Sequence, residues 1–220
     1  MEKTPPPGDR HLDPNRASGL VRAAEAYLDS TLPEGRPASL PTIEALLVAR
    51  PGRITALAPD DRRLVATAMI LARARFGSAE EAVRLAEGET ARELLERDAS
   101  LPATTLAHFW TAVAEAYASV GLSRHGSQAA RRAYEHGLVA GADTLLYRAL
   151  GVLAANRALS GEFALTEEAL TRASALEDAH GWQLTPAAYL LLVGQILLRS
   201  GRLDATGLSH CARRLRATLP

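Results

Sequence analysis

The chain has 220 residues, 47 % of them hydrophobic and 23 % charged, with twenty-five basic side chains balancing twenty-five acidic ones. That length supports one domain, or two small ones, around a real core, and the neutral balance argues against nucleic acid, whose binders carry a basic excess. The single cysteine, Cys211, excludes an intramolecular disulfide framework and a cysteine-rich zinc domain, and the only lysine, Lys3, excludes a lysine Schiff base or a phosphate-loop lysine in the folded part.

Residues 1–16 are proline-rich, charged and poor in hydrophobics, which predicts a disordered tail. They lack the apolar core of a secretory signal, so a cytoplasmic location is expected. Ser18 is placed to cap a helix through Asp29, with Val21, Ala24 and Leu28 on one face. Prolines and a glycine between Leu32 and Pro41 predict a loop. A short helix runs from Thr42 to Ala49 and is broken at Pro51-Gly52. Residues 17–60 therefore read as N-terminal helices that pack on the rest of the chain.

From Asp61 onward, with Asp60 as the first cap, the pattern is helical throughout. The segments are about 13–20 residues long and none alternates like a half-buried strand. Pro102 and Pro186 occupy first-turn positions behind Ser100 and Thr185, and Gly137, Gly161 and Gly181 stand where helices should stop. The longest apolar stretch, 187–198, is interrupted at Gln195 and closed by Arg199. It is shorter than the roughly 20 residues that span a bilayer, so no membrane contact is expected.

Gly77, Gly121, Gly161 and Gly201 recur at spacings of 44, 40 and 40 residues. Eight positions before each stand Met69, Val113, Leu153 and Val193. Five positions after stand Ala82, Gly126, Thr166 and Thr206, none larger than threonine. A helical hairpin accounts for this. The first helix ends at a glycine free to adopt the left-handed turn, a small residue just inside the second helix lets the backbones approach, and apolar positions fill the seam. One hairpin cannot bury its own face, so such units stack.

The clearest unit runs Phe109-Trp110-Thr111-Ala112-Val113-Ala114-Glu115-Ala116-Tyr117-Ala118-Ser119-Val120-Gly121 and continues through Gly126, Ala130 and Ala133. In its order of tryptophan, small residue, tyrosine and glycine it resembles the tetratricopeptide repeat family. The third unit keeps the glycine and alanines, with Leu150 and Arg157 replacing the tryptophan and tyrosine, and the fourth departs further, with His210 and Arg213 where small residues are expected. The resemblance covers residues 61–220 and implies an all-α, right-handed α-solenoid of stacked helical hairpins with a C-terminal capping helix. The 40-residue period exceeds the family's usual 34 and is similar to the repeat region of bacterial maltose-activator-type regulators, where endings such as Ala179-His180-Gly181-Trp182 occur. Arginine in place of lysine, with abundant alanine and leucine, is also the composition of a GC-rich bacterial genome.

Catalytic and metal chemistry find little footing. His125 and His136 are eleven residues apart on one helix, about 16 Å, too far to share an ion. The acidic groups at Glu80-Glu81, Glu87-Glu89, Glu93-Glu96 and Glu167-Glu168 are interleaved with arginines and read as solvated helix faces. No nucleophile elbow or phosphate loop occurs, so a non-enzymatic protein without cofactor or metal is expected. Arg199, Arg202, Arg213, Arg214 and Arg216 give the last helix a basic character suited to capping the array.

In the tetratricopeptide family the first helices of successive hairpins line a concave groove. Mapped onto this chain, that set is Thr67, Leu71 and Arg75, then His108, Thr111, Glu115 and Ser119, then Arg148, Gly151 and Ala155, then Leu191, Gln195 and Arg199. Arg75, His108, Thr111, Glu115, Arg148, Gln195 and Arg199 are the candidate partner-binding residues. The expected partner is a protein or peptide, and the expected role is a regulatory scaffold or adaptor. The alternatives are a small-ligand-sensing module that controls transcription and, third, an enzyme on a helical scaffold. The sequence leaves self-association into a homo-oligomer open.

Overall fold

The computed structural model describes residues 14–88, 101–183 and 188–218, and every regular element among them is helical. The helices are α1 (Pro14–Asp29), α2 (Leu40–Val48), the short α3 (Pro51–Ile54), α4 (Pro59–Phe76), α5 (Ala79–Ala86), α6 (Ala103–Ser119), α7 (Ser123–Ala140), α8 (Asp143–Leu159), α9 (Phe163–His180), α10 (Tyr189–Gly201) and α11 (Ala205–Thr218). The acidic run Glu89–Glu96, the Thr185-Pro186 start signal and residues 1–13 of the expected tail lie outside the described residues. The remaining tail residues, 14–16, open α1, which starts at Pro14 rather than behind Ser18. Proline's fixed φ suits a first turn, where its missing N–H costs nothing.

Local chemistry sets most of the boundaries. Ser39 caps α2 by accepting from the Thr42 N–H at 3.4 Å, and Ser78 caps α5 by accepting from the Glu81 N–H at 3.3 Å. Proline at the head of α4 is followed by Asp60 and Asp61 in the first turn, with Arg73 and Arg75 in the last, each sign favourable to the helix dipole.

The helices pair in sequence as α4–α5, α6–α7, α8–α9 and α10–α11. Each first helix packs on the next first helix, and each second helix packs on the first helix of the following pair. Helices α1 and α2 pack on each other and both pack on α4, so they repeat the same arrangement one step earlier. The first helices are enclosed on nearly every side: α8 buries residues from Leu145 to Ala158 around its whole circumference. The second helices bury one narrow face made mostly of small residues, Gly126, Ala129, Ala130 and Ala133 on α7, and Thr166, Ala169 and Ala173 on α9, where Leu170 and Glu177 are buried as well. Small side chains there let the axes approach, while Phe109, Met69, Tyr147 and Leu191 fill the space between the layers. On the outer layer Arg132 lies over the Trp110 ring at 4.5 Å and, one unit on, Arg172 over Tyr134 at 5.9 Å.

The hairpin turns agree with the repeat in two units and correct it in two. Gly121 and Gly161 are left-handed, at φ +78° and +76°, and the N–H of the next residue reaches back to the Tyr117 and Arg157 carbonyls. In the last hairpin that position is held by Leu203 at φ 55°, with the Asp204 N–H bonded to the Arg199 carbonyl. Gly201 is the final helical residue. It is small because a Cβ there would overlap the Phe163 ring, and not for its backbone angle. The fourth unit is thus displaced two residues from the glycine spacing. Gly77 caps α4 at φ −126°, without a left-handed turn. Gly137 is likewise interior to α7, which ends at left-handed Gly141.

Candidate functional site

A polar belt crosses the row of first helices. Glu115 on α6 accepts from Arg75 on α4 through both carboxylate oxygens, Nε to Oε2 at 2.6 Å and Nη2 to Oε1 at 2.8 Å. Arg148 on α8 donates Nη2 to the same Oε1 at 3.5 Å, and its Nη1 lies 3.3 Å from His108 Nδ1. A guanidinium can only donate, so Nδ1 accepts and the imidazole carries its proton on Nε2. Glu115 and Arg148 are buried, while the Arg75 side chain keeps 28 % of its surface exposed. Tyr27 on α1 is buried against Arg75, its hydroxyl making no hydrogen bond of good geometry.

Burial governs the ionisation of this belt. It pushes His108 down to about 3, with Arg148 adding to the effect, so the ring is neutral. It also lowers Arg148 to about 10, which Glu115 only partly offsets, and that guanidinium stays charged. For Arg75, burial is outweighed by Glu115, which holds it above the usual arginine value. Tyr27 is pushed up to about 12, mainly by burial. The belt therefore holds two positive charges, one negative charge and a neutral imidazole.

Two clefts flank it. One, of about 520 Å³, opens beside Arg75 and Glu115 near the C-terminal ends of α4, α6 and α8, and is closed on its far side by Tyr189, Leu190 and Val193 of α10. Its walls are mainly apolar, and Phe76, Leu159 and Tyr189 stand at the cleft 57 %, 49 % and 48 % exposed. The other, of about 480 Å³, lies toward the N-terminal ends of α4 and α6, between Leu28, Thr67 and His108.

The belt brings together Arg75, His108, Glu115 and Arg148 of the expected set. Thr111, on the same helix as His108 and Glu115, is buried and donates its hydroxyl to the Ala107 carbonyl at 2.7 Å. Gln195 and Arg199 lie elsewhere. Gln195 Oε1 accepts from Arg214 Nη1 at 3.4 Å in the seam with α11, and Arg199 pairs with Asp204 at 2.6 Å across the hairpin turn. The two-residue displacement of the last hairpin explains this, because two residues turn a helix by about 200°, onto its opposite face. The cleft-lining residues of α10 are Tyr189, Leu190 and Val193, the last of them two positions after Leu191, as the displaced turn requires.

Several participants carried no sequence signal. Tyr27 lies outside the recognisable repeat. Asn156 donates Nδ2 to the Val152 and Ala114 carbonyls at 3.0 and 3.4 Å, bridging α8 to α6. A second buried network ties the C-terminal helix down: Tyr147 donates to Glu177 at 2.7 Å, and Arg214 donates to Glu177 at 3.2 Å and to the Gln183 carbonyl at 3.1 Å. Of the arginines that gave this region its basic character, Arg199, Arg202 and Arg214 pair with Asp204, Glu167 and Glu177. Among the described residues no three His, Cys, Asp or Glu side chains are grouped to hold a metal ion, and no helix is long and apolar enough to cross a membrane. Comparison with family models, curated proteins and solved structures finds no match.

Proposed function

We propose that the chain is a right-handed α-solenoid of stacked hairpins, similar to the tetratricopeptide family, and that it acts in the cytoplasm as a non-enzymatic, regulatory interaction module. Its partner is a protein that inserts a short apolar segment into the cleft beside Arg75. One observation carries the reading. Phe76, Leu159 and Tyr189 come from three different helices and expose about half their surface around one concavity. Single exposed hydrophobics are ordinary, but several gathered at one cleft are the feature of a docking surface. The walls beneath them include the small residues Ala118 and Ala155, which leave room for an inserted side chain. Each methylene buried there contributes about 0.8 kcal/mol. Glu115 is neutralised inside the chain, so its charge orients the belt without demanding a cation from the partner.

The test uses Phe76→Ser and Tyr189→Ser, singly and together, in pull-downs from the native host. Both side chains are exposed, so melting temperatures should match the wild type. Partners recovered specifically by the wild type should be lost from the double variant, and their undiminished recovery would overturn this function.

A further inference from the structure

We propose that the cleft beside Arg75 is also a binding site for a small monocarboxylic acid with an unbranched apolar chain, of the medium-chain fatty-acid type. This goes beyond the docking of a protein segment and does not depend on it.

Size and lining come first. About 520 Å³ lies within the roughly 300–1,000 Å³ typical of small-ligand sites, and Val152, Leu159, Leu190 and Val193 offer an apolar wall along one side. Charge then selects the head group. Arg75 gives Nε and Nη2 to Glu115, so its remaining nitrogen, Nη1, is not used by that carboxylate, and the side chain borders the cleft. Arg148, buried behind it, shares only the long 3.5 Å contact to the same carboxylate, and its Nε has no hydrogen-bond partner. Two guanidiniums thus face one carboxylate, and the neutral His108 adds no negative charge. An excess cation in a poorly solvated place is costly, and an incoming carboxylate relieves it. Tyr189 lines the same cleft and lies near enough to Arg75 to act on its charge, so the cleft also offers a phenol donor to a bound carboxylate.

An alcohol with the same chain would bury equal apolar area but offer the belt only a neutral hydrogen-bond acceptor, and an alkylammonium would be repelled by it. Charge-assisted hydrogen bonds are roughly twice as strong as neutral ones, so the carboxylate should be preferred at least tenfold.

The experiment titrates the full chain with octanoate, 1-octanol and octylammonium by calorimetry, and locates binding from the Phe76 and Tyr189 ring signals in NMR spectra of aromatic-labelled protein. Octanoate should saturate one site, shift both rings and bind at least tenfold more tightly than the other two. Arg75→Gln should abolish that preference while leaving weak apolar binding. Should this variant fail to fold, the comparison of the three probes on the wild type decides alone. Equal binding of 1-octanol overturns the charge recognition, ring signals that do not move overturn the location, and no octanoate binding at millimolar concentration overturns the site. Loss of partners in the Phe76 and Tyr189 variants bears only on protein docking, so the two ideas fail separately.

Discussion

Arg75 and Glu115 are forty residues apart in sequence and joined by two hydrogen bonds of 2.6 and 2.8 Å. Arg148 and His108 are separated by the same interval and also meet. His108 and Arg148 stand at equivalent positions of successive first helices, thirteen residues before Gly121 and Gly161, so the 40-residue period is visible there as chemistry. Arg75 and Glu115 are not equivalent, since Gly77 and Gly121 are 44 residues apart, and their pairing comes from side-chain reach across neighbouring first helices.

Removing the shared carboxylate should be the most damaging single change at the belt. Glu115→Gln leaves two guanidiniums close together with no counter-charge, and breaking such a buried pair costs about 3–5 kcal/mol. Arg131→Ala, which removes an exposed pair with Glu135 on α7, should change stability by no more than about 0.5 kcal/mol. Urea unfolding of both variants checks the contrast, and equal losses would deny the belt its weight.

Leu203 is exposed and holds a left-handed backbone that disfavours a side chain. An L-residue pays roughly 1–2 kcal/mol in that region, while glycine gives back part of the gain through greater freedom in the unfolded chain. Leu203→Gly should therefore raise stability by about 0.5–1 kcal/mol. A lowered melting temperature would contradict the turn assignment.

Gly126 on α7 lies directly against Asn156, and a Cβ at position 126 would overlap its Oδ1. Gly126→Ala should cost about 1–3 kcal/mol, as overpacking does. Added to Asn156→Ala, the same change should cost much less, because the obstructing amide is gone. A double-mutant cycle by chemical denaturation measures the coupling; strict additivity would mean that the two helices do not touch there.

Acidification should expose the buried imidazole. His108 is depressed to about 3 in the folded chain, against an ordinary value near 6.5, so between those limits the unfolded state binds a proton that the folded state does not. Its contribution is present above about pH 6.5 and is lost as the pH falls, with a slope of at most about 1.4 kcal/mol per pH unit. His108→Gln should flatten stability between pH 6.5 and 5 relative to the wild type. Parallel curves would show that the ring is solvated.

Helix type and most helix ends could be read from the sequence because serine caps, prolines and glycines act locally. The small residues of the second helices were readable for the same reason, since Ala130, Ala133 and Ala173 are all fully buried at the expected seam. Glycine misled where its role was spatial. Gly201 makes room for Phe163 and draws attention from Leu203, which makes the turn, and the resulting two-residue error carried Gln195 and Arg199 to the wrong face. The belt was only half legible: Arg75, His108, Glu115 and Arg148 follow from the period, but their mutual pairing depends on side-chain reach. Tyr27 depends on a helix pair whose connection has no left-handed glycine and which is followed by the extra short helix α3.

The hairpins of this array are alike in shape and unlike in charge, and so they are not interchangeable parts. Along the belt the sequence of signs is plus on α4, minus on α6 and plus on α8. Deleting the α6–α7 hairpin would remove the carboxylate that Arg75 and Arg148 share, and duplicating the α8–α9 hairpin would add a buried arginine with no carboxylate of its own. One side chain on the middle hairpin thus ties together its two neighbours.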